Sequence, residues 1–214
     1  MEFFLDTANL EEIRQAQELG LIDGVTTNPS LLAKEGGDWK SQASEICKMV
    51  DGPVSLEAVS TRAEDMVQEA KELMKFGPNA VIKIPMTMDG MQAVTQLRSM
   101  DIPTNVTLVF SVNQALLAAK AGADYVSPFV GRLDDIGTTG MDVVSQILEV
   151  YANYDFDTQV IVASIRHPDH VLQSALMGAH VATVPYSVLS NLASHPLTDK
   201  GLEKFLQDWK KIAQ

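Results

Sequence analysis

One lysine stands inside an otherwise apolar run, Lys83 in Ala80-Val81-Ile82-Lys83-Ile84-Pro85. If the run is a strand, alternation turns Lys83 to the face opposite Ile82 and Ile84. In a closed barrel that face is the lumen. Apolar walls disfavour an ammonium there, and the neutral amine can attack a ketone carbonyl to form an imine. Taken alone, Lys83 fits a buried ion pair with a carboxylate such as Glu57 or Asp6 better than it fits a nucleophile. Its company reverses that weighting. Asp6 and Glu57 end two other short β-rich runs, and together with Lys83 they would supply the acid, base and amine that imine formation and carbon–carbon cleavage require. Each of the two also fits a solvated strand-end carboxylate. Asn28, Asn105 and Thr107 offer neutral hydrogen bonds suited to sugar hydroxyls, although Asn28-Pro29 equally fits a turn, and Ser127 is similarly ambiguous. Arg132 and the Ser164-Ile165-Arg166 segment follow two later runs, where paired guanidinium groups would grip a phosphate bidentately. Surface ion pairing is the alternative for both arginines.

These residues need a scaffold that gathers strand ends. Short β-rich runs recur at Phe3–Asp6, Gly24–Thr26, Val54–Ala58, Ala80–Ile84, Thr104–Leu108, Tyr125–Ser127, Gln159–Ala163 and Val181–Val184. Between them lie stretches of helical periodicity such as Asn9–Leu19, Thr61–Lys75, Asp89–Arg98, Val112–Ala119, Asp142–Tyr151 and Pro168–Met177. In the first, Asn9 suits the N-cap and Glu12 its capping-box partner. Strict alternation predicts a parallel sheet, and eight units of similar length in 214 residues predict one (β/α)8 barrel domain over 1–214. A doubly wound open sheet is the second choice; it lacks support because no Gly-rich dinucleotide fingerprint follows the first strand. In such a barrel the C-terminal strand ends and the loops beyond them build the active site; Asp6, Asn28 and Glu57 fall there, while the fourth run holds Lys83 and the fifth holds Asn105 and Thr107, each able to point inward. The tail from about 197 to 214 carries Leu202, Phe205, Leu206, Trp209 and Ile212 at helical spacing, an amphipathic helix that would either close the base of its own barrel or meet a neighbouring subunit.

Composition narrows the partners. The 28 acidic residues outnumber 16 Lys and Arg, a formal charge of -12, so the overall field repels nucleic acid and anionic lipid. A small phosphorylated substrate must therefore be held by a few local cations. Cys47 is the one cysteine and fits a reducing compartment, and the four histidines show no metal-ligand spacing. Met1 to Asp6 reaches an acidic residue at once, without a basic start or an apolar stretch long enough for a signal peptide. No apolar run approaches membrane-spanning length. A cytoplasmic protein is expected.

The segments Leu5-Asp6-Thr7-Ala8-Asn9, Gly24-Val25-Thr26-Thr27-Asn28-Pro29-Ser30, Val81-Ile82-Lys83-Ile84-Pro85, Asn105-Val106-Thr107-Leu108-Val109-Phe110-Ser111, Ser127-Pro128-Phe129-Val130-Gly131-Arg132 and Ala163-Ser164-Ile165-Arg166 resemble the transaldolase family. The likeness is to its short bacterial subgroup, which also contains the fructose 6-phosphate aldolases, and it runs from Phe4 into the tail. The resemblance implies a class I transferase of the pentose phosphate pathway with Lys83 as Schiff-base nucleophile. Asp6 would exchange the proton of the C4 hydroxyl while the bond between C3 and C4 breaks, and Glu57 with Thr107 would hold the water that shuttles protons during imine formation. Asn28, Asn105 and Ser127 would bind the hydroxyls of the retained dihydroxyacetone unit; Arg132, Ser164 and Arg166 would hold phosphate. The unit would pass between sedoheptulose 7-phosphate or fructose 6-phosphate and glyceraldehyde 3-phosphate or erythrose 4-phosphate, with no metal or organic cofactor. Aldolases of the subgroup, which release free dihydroxyacetone, carry glutamine and tyrosine where this sequence has Glu57 and Phe129, and they lack the polar side chain matching Asn105. The resemblance also implies rings of five, often stacked as decamers, with the terminal helix on a neighbour. A non-catalytic sugar-phosphate-binding barrel, with Lys83 locked in a salt bridge, is the contrasting expectation.

Overall fold

The computed structural model describes residues 1–212. Eight strands alternate with helices in chain order. The first half comprises β1 (Glu2–Asp6), α1 (Leu10–Glu18), β2 (Gly24–Thr26), α2 (Pro29–Glu35), α3 (Trp39–Met49), β3 (Val54–Glu57), α4 (Ala63–Leu73), β4 (Ala80–Pro85) and α5 (Met88–Arg98). Then come β5 (Thr104–Val109), α6 (Val112–Ala121), β6 (Tyr125–Pro128), α7 (Val130–Asp134), α8 (Gly140–Asn153) and β7 (Gln159–Val162). The chain closes with α9 (Pro168–Met177), β8 (Val181–Val184), α10 (Tyr186–Leu192) and α11 (Pro196–Ile212). Each strand pairs parallel to the next and β8 returns to β1, a closed eight-stranded barrel as expected, with the extra helix at its end.

Strand alternation sorts the lumen into layers. Phe4, Ile161 and Val181 form a small apolar cluster of their own, joined by Tyr125, whose ring centroid lies 6.3 Å from that of Phe4. Two residues further along β1, β6 and β8 stand Asp6, Ser127 and Thr183. A dry plug therefore floors a polar layer at the C-terminal half of the barrel. Gly24, in register with Phe4, makes room for the plug: a Cβ there would lie 2.8 Å from the Phe4 ring. On the outer faces of the strands, residues such as Leu5, Ile82, Ile84, Val106 and Val126 are fully buried against the helices.

The predicted elements recur with ends shifted by a residue or two. Helices α2, α3, α7 and α10 have no counterpart in the sequence reading; α2 buries no residue and α7 has only five, so neither leaves an apolar period to read. Asn9 caps α1 by accepting from the Glu11 and Glu12 amides, as predicted. Glu12 does not close a capping box, because its carboxylate accepts from the Thr7 hydroxyl at 2.5 Å while the Asn9 amide donates to that same hydroxyl. The tail is a helix but does not close the base of its own barrel: Leu197, Leu202, Phe205, Leu206, Trp209 and Ile212 are each 55 to 76 % exposed. Residues 213 and 214, the last two of the predicted helix, lie outside the described residues.

Candidate active site

Glu57, Lys83 and Asn105 occupy the same level of three adjacent strands, because β3, β4 and β5 pair Glu57 with Lys83 and Lys83 with Asn105. Parallel strands at one level aim equivalent side chains the same way, so the three enter the lumen side by side. Lys83 is only 5 % exposed. Its Nζ lies 2.9 Å from Glu57 Oε2 and donates to the Thr27 carbonyl at 2.9 Å. Ile82 and Ile84 face away from the lumen, as alternation predicts, but the lumen wall that meets the amine is polar and not the apolar one expected. On the lumen side the amine meets a carboxylate that can receive its proton and a carbonyl that fixes its direction.

On the opposite wall, Asp6 Oδ1 accepts from the Thr26 hydroxyl at 2.9 Å, and Thr26 Oγ1 lies 2.5 Å from Thr183 Oγ1. Since the Thr26 proton goes to Asp6, Thr183 must donate to Thr26, and the relay runs from Thr183 through Thr26 to the carboxylate. Burial pushes the Asp6 carboxyl above its ordinary value, with the nearby Glu57 charge adding to the rise, while Lys83 and the Thr26 hydrogen bond oppose it. A carboxylate held in that condition is suited to taking up a proton and giving it back.

A third network fixes Asn105 and Ser127. Ser127 Oγ donates to Asn105 Oδ1 at 2.7 Å and Asn105 Nδ2 donates to Ser55 Oγ at 3.2 Å, all three residues being buried. With its proton spent, the Ser127 oxygen can accept from a ligand hydroxyl. Thr107, one turn of the pleat beyond Asn105 on β5, is fully buried and its hydroxyl has no partner among the described protein atoms. The residue after it, Leu108, sits in the left-handed region at φ 60°, a conformation that costs a branched side chain about 1 kcal/mol or more and that recurs where strand geometry serves a site.

A cavity of about 240 Å³ opens above this layer, lined by Asp6, Asn28, Lys83, Ser127, Phe129, Arg132, Ser164 and Arg166 together with neighbouring backbone. Eight of the eleven sequence candidates thus line one cavity. Glu57, Asn105 and Thr107 stand outside that lining. Asn28 caps α2, its side-chain oxygen accepting from the Leu31 amide with Pro29 opening the helix, and it also lines the cavity. Arg132 rides on α7 with its guanidinium carbon 5.1 Å above the Phe129 ring, which meets Phe110 edge-on at 5.9 Å. Arg166 donates to Asp135 Oδ2 at 2.9 Å. Ser164, at φ 60°, presents its carbonyl to the Gly131 amide at 3.1 Å, and no side chain fits at Gly131, where a Cβ would lie 2.2 Å from that carbonyl.

A larger depression of about 830 Å³ lies at the other end of the barrel, among the strand starts Ala80, Tyr125 and Gln159, and none of the candidates lines it. Among the described residues, no group of three or more His, Cys, Asp and Glu side chains is gathered as a metal would need. No helix among them is long and apolar enough to cross a membrane.

Residues 3–214 match the family model described as Transaldolase/Fructose-6-phosphate aldolase. The chain belongs to the transaldolase/fructose 6-phosphate aldolase family. Curated members of that family called "Probable transaldolase" include one from Maridesulfovibrio salexigens, 64 % identical with 100 % of both chains covered. Another, from Aquifex aeolicus, is 59 % identical over 100 % of this chain and 99 % of its own. A third, from Methanococcus maripaludis strain C7, is 60 % identical with 98 % of each chain covered. Among solved structures, a mandelate oxidase mutant with an FMN adduct superposes with a TM-score of 0.58 at 14 % identity, covering 96 % of this chain and 70 % of that one. At that identity the likeness speaks for the barrel alone.

Three side chains that hydrogen-bond in these networks had no individual place in the sequence reading: Ser55, Thr26 and Thr183. Alternation carries a signal for Ser55, which stands two residues before Glu57 on the same face of β3. Thr183 had a weaker one, a lone polar residue within Val181-Ala182-Thr183-Val184. The Thr27 carbonyl that holds Lys83 is backbone, and no residue type announces it.

Proposed function

We propose that this chain is a transaldolase, moving a dihydroxyacetone unit from sedoheptulose 7-phosphate or fructose 6-phosphate to glyceraldehyde 3-phosphate or erythrose 4-phosphate. The observation that carries the reading is the 2.9 Å contact of the Glu57 carboxylate with Nζ of Lys83, a lysine that lines one cavity together with Asp6. Glu57 takes a proton from the ammonium, and the freed amine adds to the C2 carbonyl of the ketose. Loss of the C2 oxygen as water, with proton transfer among Glu57, a water and Thr107, gives the iminium ion. The unpartnered Thr107 hydroxyl supports that assignment. Asp6 then removes the proton of the C4 hydroxyl, the C3–C4 bond breaks, and its electron pair passes into the iminium to leave an enamine on Lys83. The shortened aldose departs. Attack of the enamine carbon on an acceptor aldehyde, with Asp6 returning the proton, and hydrolysis of the new iminium restore the lysine.

Ser127 and Asn28 suit the hydroxyls of the retained unit, and Asn105 reaches them through Ser127. Arg132, Arg166 and Ser164 suit the phosphate end, where two guanidinium groups supply local positive charge on an acidic chain. An ion pair between Lys83 and Glu57 would also suit a non-catalytic barrel, but such a barrel has no use for a desolvated Asp6 or a free buried Thr107 hydroxyl. Glu57, Asn105 and Phe129 favour transfer over aldol release, as the resemblance implies. We place the activity in the cytoplasm and in the pentose phosphate pathway, in a single-domain chain that assembles as a pentamer or decamer through the uncovered face of α11. A coupled assay with fructose 6-phosphate, run with and without erythrose 4-phosphate, tests the transferase reading. Turnover that needs the acceptor supports it; equal turnover without acceptor makes the chain an aldolase.

A further inference from the structure

His170 lies behind the phosphate end of the cavity, not in its lining, and belongs to none of the groups assigned above. It is 4 % exposed in the first turn of α9, four residues after Arg166. Its Nδ1 accepts from the Arg166 backbone amide at 3.3 Å, and its Nε2 lies 2.9 Å from Asp134 Oδ2. Accepting at Nδ1 requires a lone pair there, so the ring proton sits on Nε2 and goes to Asp134; the imidazole is the neutral Nε2–H tautomer. Asp134 is the last residue of α7, two beyond Arg132, and its other oxygen accepts from the Gly140 amide at 2.9 Å.

The two arginines of the phosphate end thus come from two pieces of backbone, and a buried imidazole is one of the ties between them. Helix α7 carries Arg132 and is pinned to the 163–166 segment in front by Val130 N to Ala163 O at 3.0 Å and Gly131 N to Ser164 O at 3.1 Å. Behind, His170 bridges the Arg166 backbone to Asp134, beside the exposed pair of the Arg166 guanidinium with Asp135 at 2.9 Å. The neighbours of the ring fit a neutral clamp. His167 stacks at 3.9 Å between centroids, and burial together with His167 holds His170 below the usual histidine range, while Asp134 and Asp169 oppose. Such a shell fixes guanidinium groups that must meet one anion together, and displacement by an ångström or less costs binding by large factors.

We propose that His170 is a positioning residue which, through Asp134 and the Arg166 backbone, sets Arg132 and Arg166 for the phosphate of the substrate. The proposal rests on the transaldolase reading for the identity of the anion, but not for its presence. His170→Ala should raise KM for fructose 6-phosphate and weaken binding of inorganic phosphate, read by calorimetry, by about tenfold or more. Borohydride trapping of dihydroxyacetone, which has no phosphate, should proceed at the wild-type rate. His170→Asn retains an acceptor near Nδ1 and His170→Gln a donor near Nε2, so each should recover part of the loss; they also serve if the alanine variant does not fold. Unchanged phosphate affinity and KM in folded variants would overturn the proposal. So would an equal fall in dihydroxyacetone trapping, which marks a general loss of structure. If wild-type protein traps no dihydroxyacetone, the Schiff-base reading fails, while calorimetry with inorganic phosphate still decides the role of His170.

Discussion

The Glu57 carboxylate and the Lys83 amine meet at 2.9 Å from register-paired positions on β3 and β4, both facing the lumen. Parallel pairing makes this contact a property of the backbone: once Val54 to Glu57 and Ala80 to Lys83 are in register, no other polar side chain on β3 stands at the level of the lysine. The lysine is thereby anchored and supplied with a proton acceptor by one residue. Glu57→Ala should slow reduced-imine formation by about 100-fold, the usual range for loss of a positioned acid–base group. Removing one partner of a buried pair should also cost about 3 kcal/mol of stability. Single-turnover trapping and denaturant unfolding read the two effects separately; a wild-type trapping rate would reduce Glu57 to an anchor.

Asp6 gives a prediction with opposite signs for activity and stability. Its folded-state value is raised by burial, so the native protein binds this proton more tightly than the unfolded chain does. That contribution is fully present below the ordinary carboxylate value of about 4 and is lost as pH rises through the folded value. Asp6→Asn keeps the acceptor for Thr26 but removes the buried charge. The variant should melt above wild type near pH 7 and 8, the gap closing toward pH 4, while turnover falls by about 100-fold or more. Calorimetric melting across that range checks it, and a lower melting temperature for the variant at neutral pH would reverse the sign assigned to Asp6.

Phe129 lines the cavity with its ring held between Phe110 and the Arg132 guanidinium. Phe129→Tyr adds one hydroxyl to a ring already fixed in place, offering the waiting enamine a proton donor. Acceptor-independent release of dihydroxyacetone from fructose 6-phosphate should rise relative to transfer by at least about tenfold. An unchanged ratio would remove Phe129 as the residue that separates the two outcomes.

The six apolar side chains of the α11 stripe form a row that the barrel does not cover. A chain ended before Leu197 should keep its barrel and sediment as a smaller species than the full chain. An unchanged oligomer would remove α11 from the interface.

What the sequence disclosed followed from periodicity. Lys83 between two isoleucines, Asp6 and Glu57 at the ends of their strands, and Asn105 and Thr107 within β5 were legible because alternation assigns faces and a parallel barrel gathers strand ends. Register was not legible. Nothing in the chain states that Glu57 and not Asp6 lies level with Lys83, which the register of β3 on β4 decides, or that Thr183 completes a relay to Asp6, which arises only when the barrel closes and β8 meets β1. The short helix α7 was hidden for a related reason. Its five residues are fixed by amide contacts to Ala163 and Ser164 and by the His170–Asp134 clamp, all long-range, and not by any period of its own. His170 itself read only as part of a helix start, because a buried histidine and a surface one look alike in sequence.

The central claim is that Lys83 forms a covalent imine with the ketose substrate. Incubation with fructose 6-phosphate and borohydride, followed by peptide mass analysis, tests it directly. A reduced three-carbon adduct on the peptide containing Lys83, and on no other lysine, is the predicted result; no added mass on that peptide would contradict the account.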